Sequence, residues 1–323
     1  MGKRLELDYP APVQQLITYG DAGDSIHNQP PGWPNYLKLG LTEAHIPDLI
    51  QVLQSRSWTR EEELEEEPVT FWASIHAWRA LGQLKAEAAV PVLLELLREA
   101  DQGTGSLDED WISEELPLVL GLIGPKAQPA LQSFASEWLQ QRRNTTASET
   151  YGLTAALDAL AEIATGCRRF SQIRLGVPLP PASESAASEF MERLQSWLEP
   201  YAEQDPEINA WLITAFLTTQ TNLPTKLALP ADAAILKQIE NVFAARRVDE
   251  TICGDWDDLQ LDLGLLRLEQ LPAEKQAQIR GQKERTRQYH QEWIVLQRKY
   301  APKTGFGSSI QPNQKKKKHR KHR

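Results

Sequence analysis

Cysteine is scarce in this 323-residue sequence: Cys167 and Cys253 are the two copies, far apart and outside any CxxC or Cys/His spacing. Neither a disulfide framework nor a structural zinc site is thereby indicated, and a reducing compartment, the cytoplasm, is the expected location. Long apolar runs are missing too. The longest, near 116–123, falls far short of a bilayer span, and the first eight residues carry no apolar signal region, so neither secretion nor membrane insertion is expected. Gly-rich phosphate loops and a recognisable Ser/His/Asp constellation are also lacking, which argues against an enzyme and gives no cofactor or metal to assign. None of the six histidines is followed by glutamate, so the paired His-Glu steps that hold iron in deoxyhypusine-hydroxylase-like enzymes are absent.

Positive charge is short everywhere except at the end. The formal net charge is −9, yet Lys315, Lys316, Lys317, Lys318, Arg320, Lys321 and Arg323 supply +7, leaving −16 on the first 314 residues. An acidic body opposes a groove that follows nucleic-acid phosphates. The basic end is expected to be disordered, and it offers weak, sequence-independent affinity for nucleic acid, an anionic surface or the acidic run Glu61, Glu62, Glu63, Glu65, Glu66 and Glu67. That run is read as a solvated segment, with a docking patch for a basic partner as its functional alternative.

What the sequence does contain is a repeated helical hairpin. Ala77-Trp78-Arg79-Ala80-Leu81-Gly82 leads through a short connector to Pro91-Val92-Leu93-Leu94-Glu95-Leu96-Leu97, and Leu118-Val119-Leu120-Gly121 leads to Pro129-Ala130-Leu131. Proline suits the first turn of a helix, where its missing N–H has no intrahelical partner, so Pro91 and Pro129 mark helix starts. Leu39-Gly40 and Leu160-Ala161 extend the series, and positions 40, 82, 121 and 161 are spaced as HEAT or armadillo units are. An all-α fold is therefore predicted: a HEAT-like right-handed α-solenoid with a C-terminal helical extension and a disordered basic tail. Trp72, Ile75, Trp78 and Leu81 share one helical face and are read as core, with His76 one position off that stripe. Asp108, Glu109, Asp110, Glu114 and Glu115 crowd the start of the next helix, where the backbone dipole favours carboxylates.

The organisation reads as an N-terminal cap at 1–35, a repeat array at 36–168, a Pro/Ser-rich linker at 169–186, a helical region at 187–300 and a tail at 301–323. The linker is placed at Gly176-Val177-Pro178-Leu179-Pro180-Pro181, which cannot be helical. Further on, Asp255, Asp257, Asp258 and Asp262 form an acidic cluster. It loosely resembles the aspartate-rich magnesium motif of all-helical isoprenoid synthases, but it is one residue too long and has no second motif; Asp255 is read as the cap of a helix beginning at Trp256. From 272 to 300 a long polar helix carries Tyr289, Trp293, Leu296 and Tyr300 as a narrow docking stripe.

The stretch from Ala80-Leu81-Gly82-Gln83-Leu84 to Pro91-Val92-Leu93-Leu94-Glu95-Leu96-Leu97 is similar to the HEAT-like repeat of phycobilisome lyases and many bacterial adaptors. Over roughly 37–268, the order of segments resembles a bacterial helical domain family of unknown function, often followed by a SEC-C zinc knuckle. The metal-binding cysteines of that knuckle are absent here, so zinc does not carry over. The resemblance is specific for fold only; because stacked hairpins build extended surfaces and no catalytic set is present, a non-enzymatic scaffold with a protein partner is expected. Phycobilin lyase or lyase-chaperone activity is one alternative, for which Trp72, Trp78 and Trp111 provide no distinguishing site, and an RNA- or ribosome-associated role through the basic tail is another.

Overall fold

The computed structural model describes residues 9–20, 22, 32–55, 72–103, 109–142, 150–224 and 233–300. Among the described residues every regular element is helical, and the one extended pairing is an isolated parallel bridge between Gly32 and Arg174. The helices are α1 (Ala11–Ile17), α2 (Ile46–Ser55), α3 (Ala73–Gln83), α4 (Val90–Gln102), α5 (Glu109–Ile123), α6 (Gln128–Arg142) and α7 (Tyr151–Thr165), then α8 (Glu184–Leu198), α9 (Pro206–Asn222), α10 (Ala234–Ala244), α11 (Glu250–Cys253), α12 (Trp256–Asp262) and α13 (Ala273–Tyr300). None of the described helices is long and apolar enough to cross a membrane. The chain divides into two units, Met1–Arg267 and Leu268–Arg323.

Local sequence explains the helix ends. Pro91 lies in the first turn of α4, and α7 stops at Gly166, whose φ of +70° an L-residue rarely adopts. A Cβ there would also collide with the Pro180 carbonyl oxygen. Leu39-Gly40 behaves differently from the other Leu-Gly steps. It closes a single 3₁₀ turn, Tyr36–Leu39, with Gly40 at φ +90°, so α2 lacks a long preceding helix; Gly82 and Gly121 lie inside α3 and α5.

Within the first unit the packing is successive. The odd-numbered helices α1, α3, α5, α7 and α9 each pack on the next odd one, the even-numbered α2, α4, α6, α8 and α10 do likewise, and each of α2, α4, α6 and α8 packs on the odd helix that follows it. Helix α7 is the centre, touching α4, α5, α6, α8 and α9. Its Leu153, Leu157, Leu160 and Ile163 are buried as the apolar pattern predicts, and so are Ala155, Ala159 and Ala164 on its other sides. Small residues there let neighbouring helices approach, while each buried leucine contributes about 1.5–3 kcal/mol.

The Pro/Ser-rich segment lies inside this first unit. Leu175 is buried, and Val177 and Leu179 pack against the core. At the other end, the buried Asn209 donates from Nδ2 to the carbonyls of Tyr201 (3.0 Å) and Arg247 (2.8 Å) and accepts from Gln204 Nε2 (2.8 Å), tying together the loops on either side of α9 and α10.

Candidate functional site

Helix α3 is buried on every side from Ala73 to Gln83, although it carries His76, Arg79 and Gln83. Their spacing of three and four places them on one stripe. A buried guanidinium costs several kcal/mol unless it is paired and hydrogen-bonded, and each of the three nitrogens of Arg79 has an acceptor. Its Nε donates to Glu115 Oε2 at 2.8 Å, Nη2 to Glu115 Oε1 at 2.5 Å, and Nη1 to the Ala22 carbonyl at 2.8 Å. Trp78 Nε1 donates to the same Glu115 Oε2 at 2.9 Å. The rings of Trp33 and Trp111 lie 5.5 and 5.7 Å from the guanidinium carbon, within cation–π range, and Trp72 packs edge-on against Trp111. Burial alone would lower the guanidinium pKa; the adjacent Glu115 carboxylate more than offsets this and holds it above the ordinary value.

His76 is equally committed. Its Nε2 lies 2.9 Å from the Gly20 carbonyl, an obligate acceptor, so the proton sits on Nε2 and Nδ1 accepts from the Tyr36 hydroxyl at 2.6 Å. Burial pushes the Tyr36 phenol well above its usual range, which keeps it a donor. Gln83 completes the stripe by serving two separate segments. Its Nε2 donates to the carbonyls of Pro34 and Leu175, each at 2.7 Å, and its Oε1 accepts from Tyr36 N at 2.9 Å. Beside it, Trp33 N donates to the Arg174 carbonyl and Asn35 Nδ2 to the Gly176 carbonyl, both at 2.8 Å. The polar face of α3 is thus occupied, among the described residues, by the chain's own Gly20, Ala22, residues 33–36 and residues 174–176.

In chemical terms this arrangement holds rather than reacts. Both ring nitrogens of His76, both oxygens of Glu115 and all three guanidinium nitrogens of Arg79 are engaged internally. No protein-family model matches the chain, no curated protein matches its sequence, and no solved structure matches its fold.

A second buried cluster lies where α5 meets the end of α7. Glu162 is 1% exposed; its Oε1 accepts from Arg169 Nε at 2.9 Å, and its Oε2 has no hydrogen-bond partner among the described residues. Burial, opposed by Arg169 and reinforced by Asp158, raises its carboxyl from the ordinary value to about 7. Cys167, buried with φ +57°, is adjacent, and burial pushes its thiol far above the range in which a reactive thiolate forms.

The residues singled out from the sequence are placed as follows. Asp255 caps α12: its Oδ1 accepts from Asp258 N at 3.0 Å while Asp258 Oδ2 accepts from Asp255 N at 3.2 Å. Among the described residues no group of three or more His, Cys, Asp or Glu is arranged to hold a metal ion, so Asp255, Asp257, Asp258 and Asp262 do not converge. Glu61, Glu62, Glu63, Glu65, Glu66 and Glu67, and Lys315, Lys316, Lys317, Lys318, Arg320, Lys321 and Arg323, lie outside the described residues. Tyr289, the first member of the aromatic stripe on α13, is 69% exposed, contrary to the docked position expected of it. Sequence reasoning missed Arg79, Gln83 and the pairing role of Glu115. The available signal was polar residues recurring at three and four in a helix otherwise apolar on all sides.

Proposed function

We propose that the chain is a non-enzymatic scaffold built on HEAT-like repeats, whose two helix rows form a right-handed solenoid that binds another protein. The observation that supports this reading is the succession of like helices, odd on odd and even on even, at the spacing of the sequence repeat. The even row is the surface left for a partner. Helix α3 in the odd row is covered by the chain's own segments, whereas α4, α6, α8 and α10 each bury one face and expose the other. Glu95, Glu137, Glu189, Glu192 and Glu240 lie on those exposed faces, against fewer cations such as Arg193 and Lys237, so the partner that fits is a protein with a basic surface. A resemblance to phycobilisome-lyase-type and SEC-C-associated helical domains agrees with a scaffold and does not require an activity.

The test is affinity capture from source-cell extract with the wild type and with Glu137→Lys/Glu189→Lys/Glu192→Lys. A stoichiometric protein retained by the first and lost by the second, at unchanged helical circular dichroism, supports the reading. Turnover of a small molecule by the purified chain would replace it.

A further inference from the structure

The second unit has the opposite electrostatic character to the first. Residues 268–323 carry fifteen Lys and Arg against four Asp and Glu, a formal +11, while the preceding 267 residues carry −20. Its described part, 268–300, is a short turn followed by α13, and beyond the buried Ile279 each residue from Arg280 to Tyr289 is exposed or partly so. Arg280, Lys283 and Arg287 recur at three and four and so share one face, spanning about 10 Å along the axis. No ion pair joins any of the three to a carboxylate among the described residues; Arg280 donates to Gln276 Oε1 at 3.3 Å, and Glu284, which borders the face, contacts Gln288.

We propose that this face of α13 binds the phosphate backbone of nucleic acid without reading its sequence. Protein partners are held mainly by apolar or aromatic anchors in a desolvated interface core, and the face formed by Gln276, Arg280, Lys283 and Arg287 has none. A polyanion of regular charge needs no such anchor: unpaired cations at helical spacing release its counterions, which supplies the affinity. The assignment differs from the expectation that the basic end offers this affinity, since it places the binding face on α13.

The probe is a fluorescein-labelled single-stranded RNA of about twenty nucleotides, titrated with the full chain at about 50 mM salt and followed by anisotropy. Arg280→Gln/Lys283→Gln/Arg287→Gln is expected to weaken binding at least tenfold and to reduce the slope of log K against log salt by about 2. The control Arg193→Gln/Lys237→Gln/Arg246→Gln removes the same charge from exposed positions of the first unit and is expected to bind as wild type. A chain lacking 312–323 is expected to retain binding that the α13 substitutions still weaken. The proposal is overturned if the full chain does not bind, if the α13 variant binds normally, if the control weakens equally, or if removing 312–323 alone abolishes binding. A salt-sensitive dimer that the α13 substitutions dissolve and RNA does not displace also overturns it, in favour of the acidic unit of a second copy.

Discussion

At residue 121 the missing side chain sets how close α5 and α7 come. A Cβ there would meet Cys167 Sγ and Glu162 Cβ, each at 2.7 Å, whereas at Gly82 the nearest atom is Val119 Cα at 3.3 Å. Alanine gains about 1 kcal/mol over glycine inside a helix, so the two sites should respond differently. Gly82→Ala is expected to leave the melting temperature nearly unchanged. Gly121→Ala is expected to cost about 1–3 kcal/mol by overpacking, and equal behaviour in urea melts would refute the proposed contact. Glu162 gives the pH-dependent counterpart. Its folded carboxyl titrates near 7 and its unfolded one near the ordinary 4.5, so the proton stabilises the folded state. That contribution is complete below about pH 4 and is lost as pH rises through 7, on the order of 3 kcal/mol. The groups facing it are Arg169, Asp158 and the neutral Cys167 thiol. Glu162→Gln should flatten the decline in wild-type stability between pH 5 and pH 8, and an unchanged slope would assign that decline elsewhere.

At the scale of an element, α3 shows where sequence legibility stopped. Its helical character and the burial of Ile75, Trp78 and Leu81 follow from periodicity, a local property. The pairing of Arg79 with Glu115 does not, because its partner lies 36 residues away and was accounted for by a nearer cause, the start of α5. Both explanations fit a carboxylate early in a helix; only the fold selects the buried one. Arg79→Met leaves the buried Glu115 without its charged partner, still accepting from Trp78 Nε1, and is expected to cost about 3–5 kcal/mol. The double variant Arg79→Met/Glu115→Leu should cost clearly less than the two single changes summed, as a denaturation cycle would show. Additive losses would mean that the pair is not coupled.

For the whole molecule, the all-helical class and the starts of α4, α6 and α12 were legible from proline and aspartate positions, because caps and first turns are decided by neighbouring residues. The role of the Pro-rich stretch near 178 was not. Non-helical backbone looks the same in sequence whether it separates two bodies or fills a groove, and here it fills one. The division after Arg267 leads to a separate expectation. A chain ended at Gly281 should melt at the temperature of the full chain, while one ended within α9 should lose cooperative unfolding; a lower melting temperature for the first would show that α13 supports the fold.

The clasp on Gln83 joins positions 141 residues apart, as the Asn35–Gly176 hydrogen bond beside it does. Synthesis is directional, at roughly 5–20 residues per second, so the first segment emerges roughly 7–30 s before the strand-like stretch that completes its seat. During that interval α3 has been made and Gln83 has only one of its two carbonyl acceptors. The contacts of Trp33 and Asn35 with this stretch therefore form only after α7 is complete, and a ribosome paused before residue 174 carries a chain in which neither has the carbonyl to which it donates.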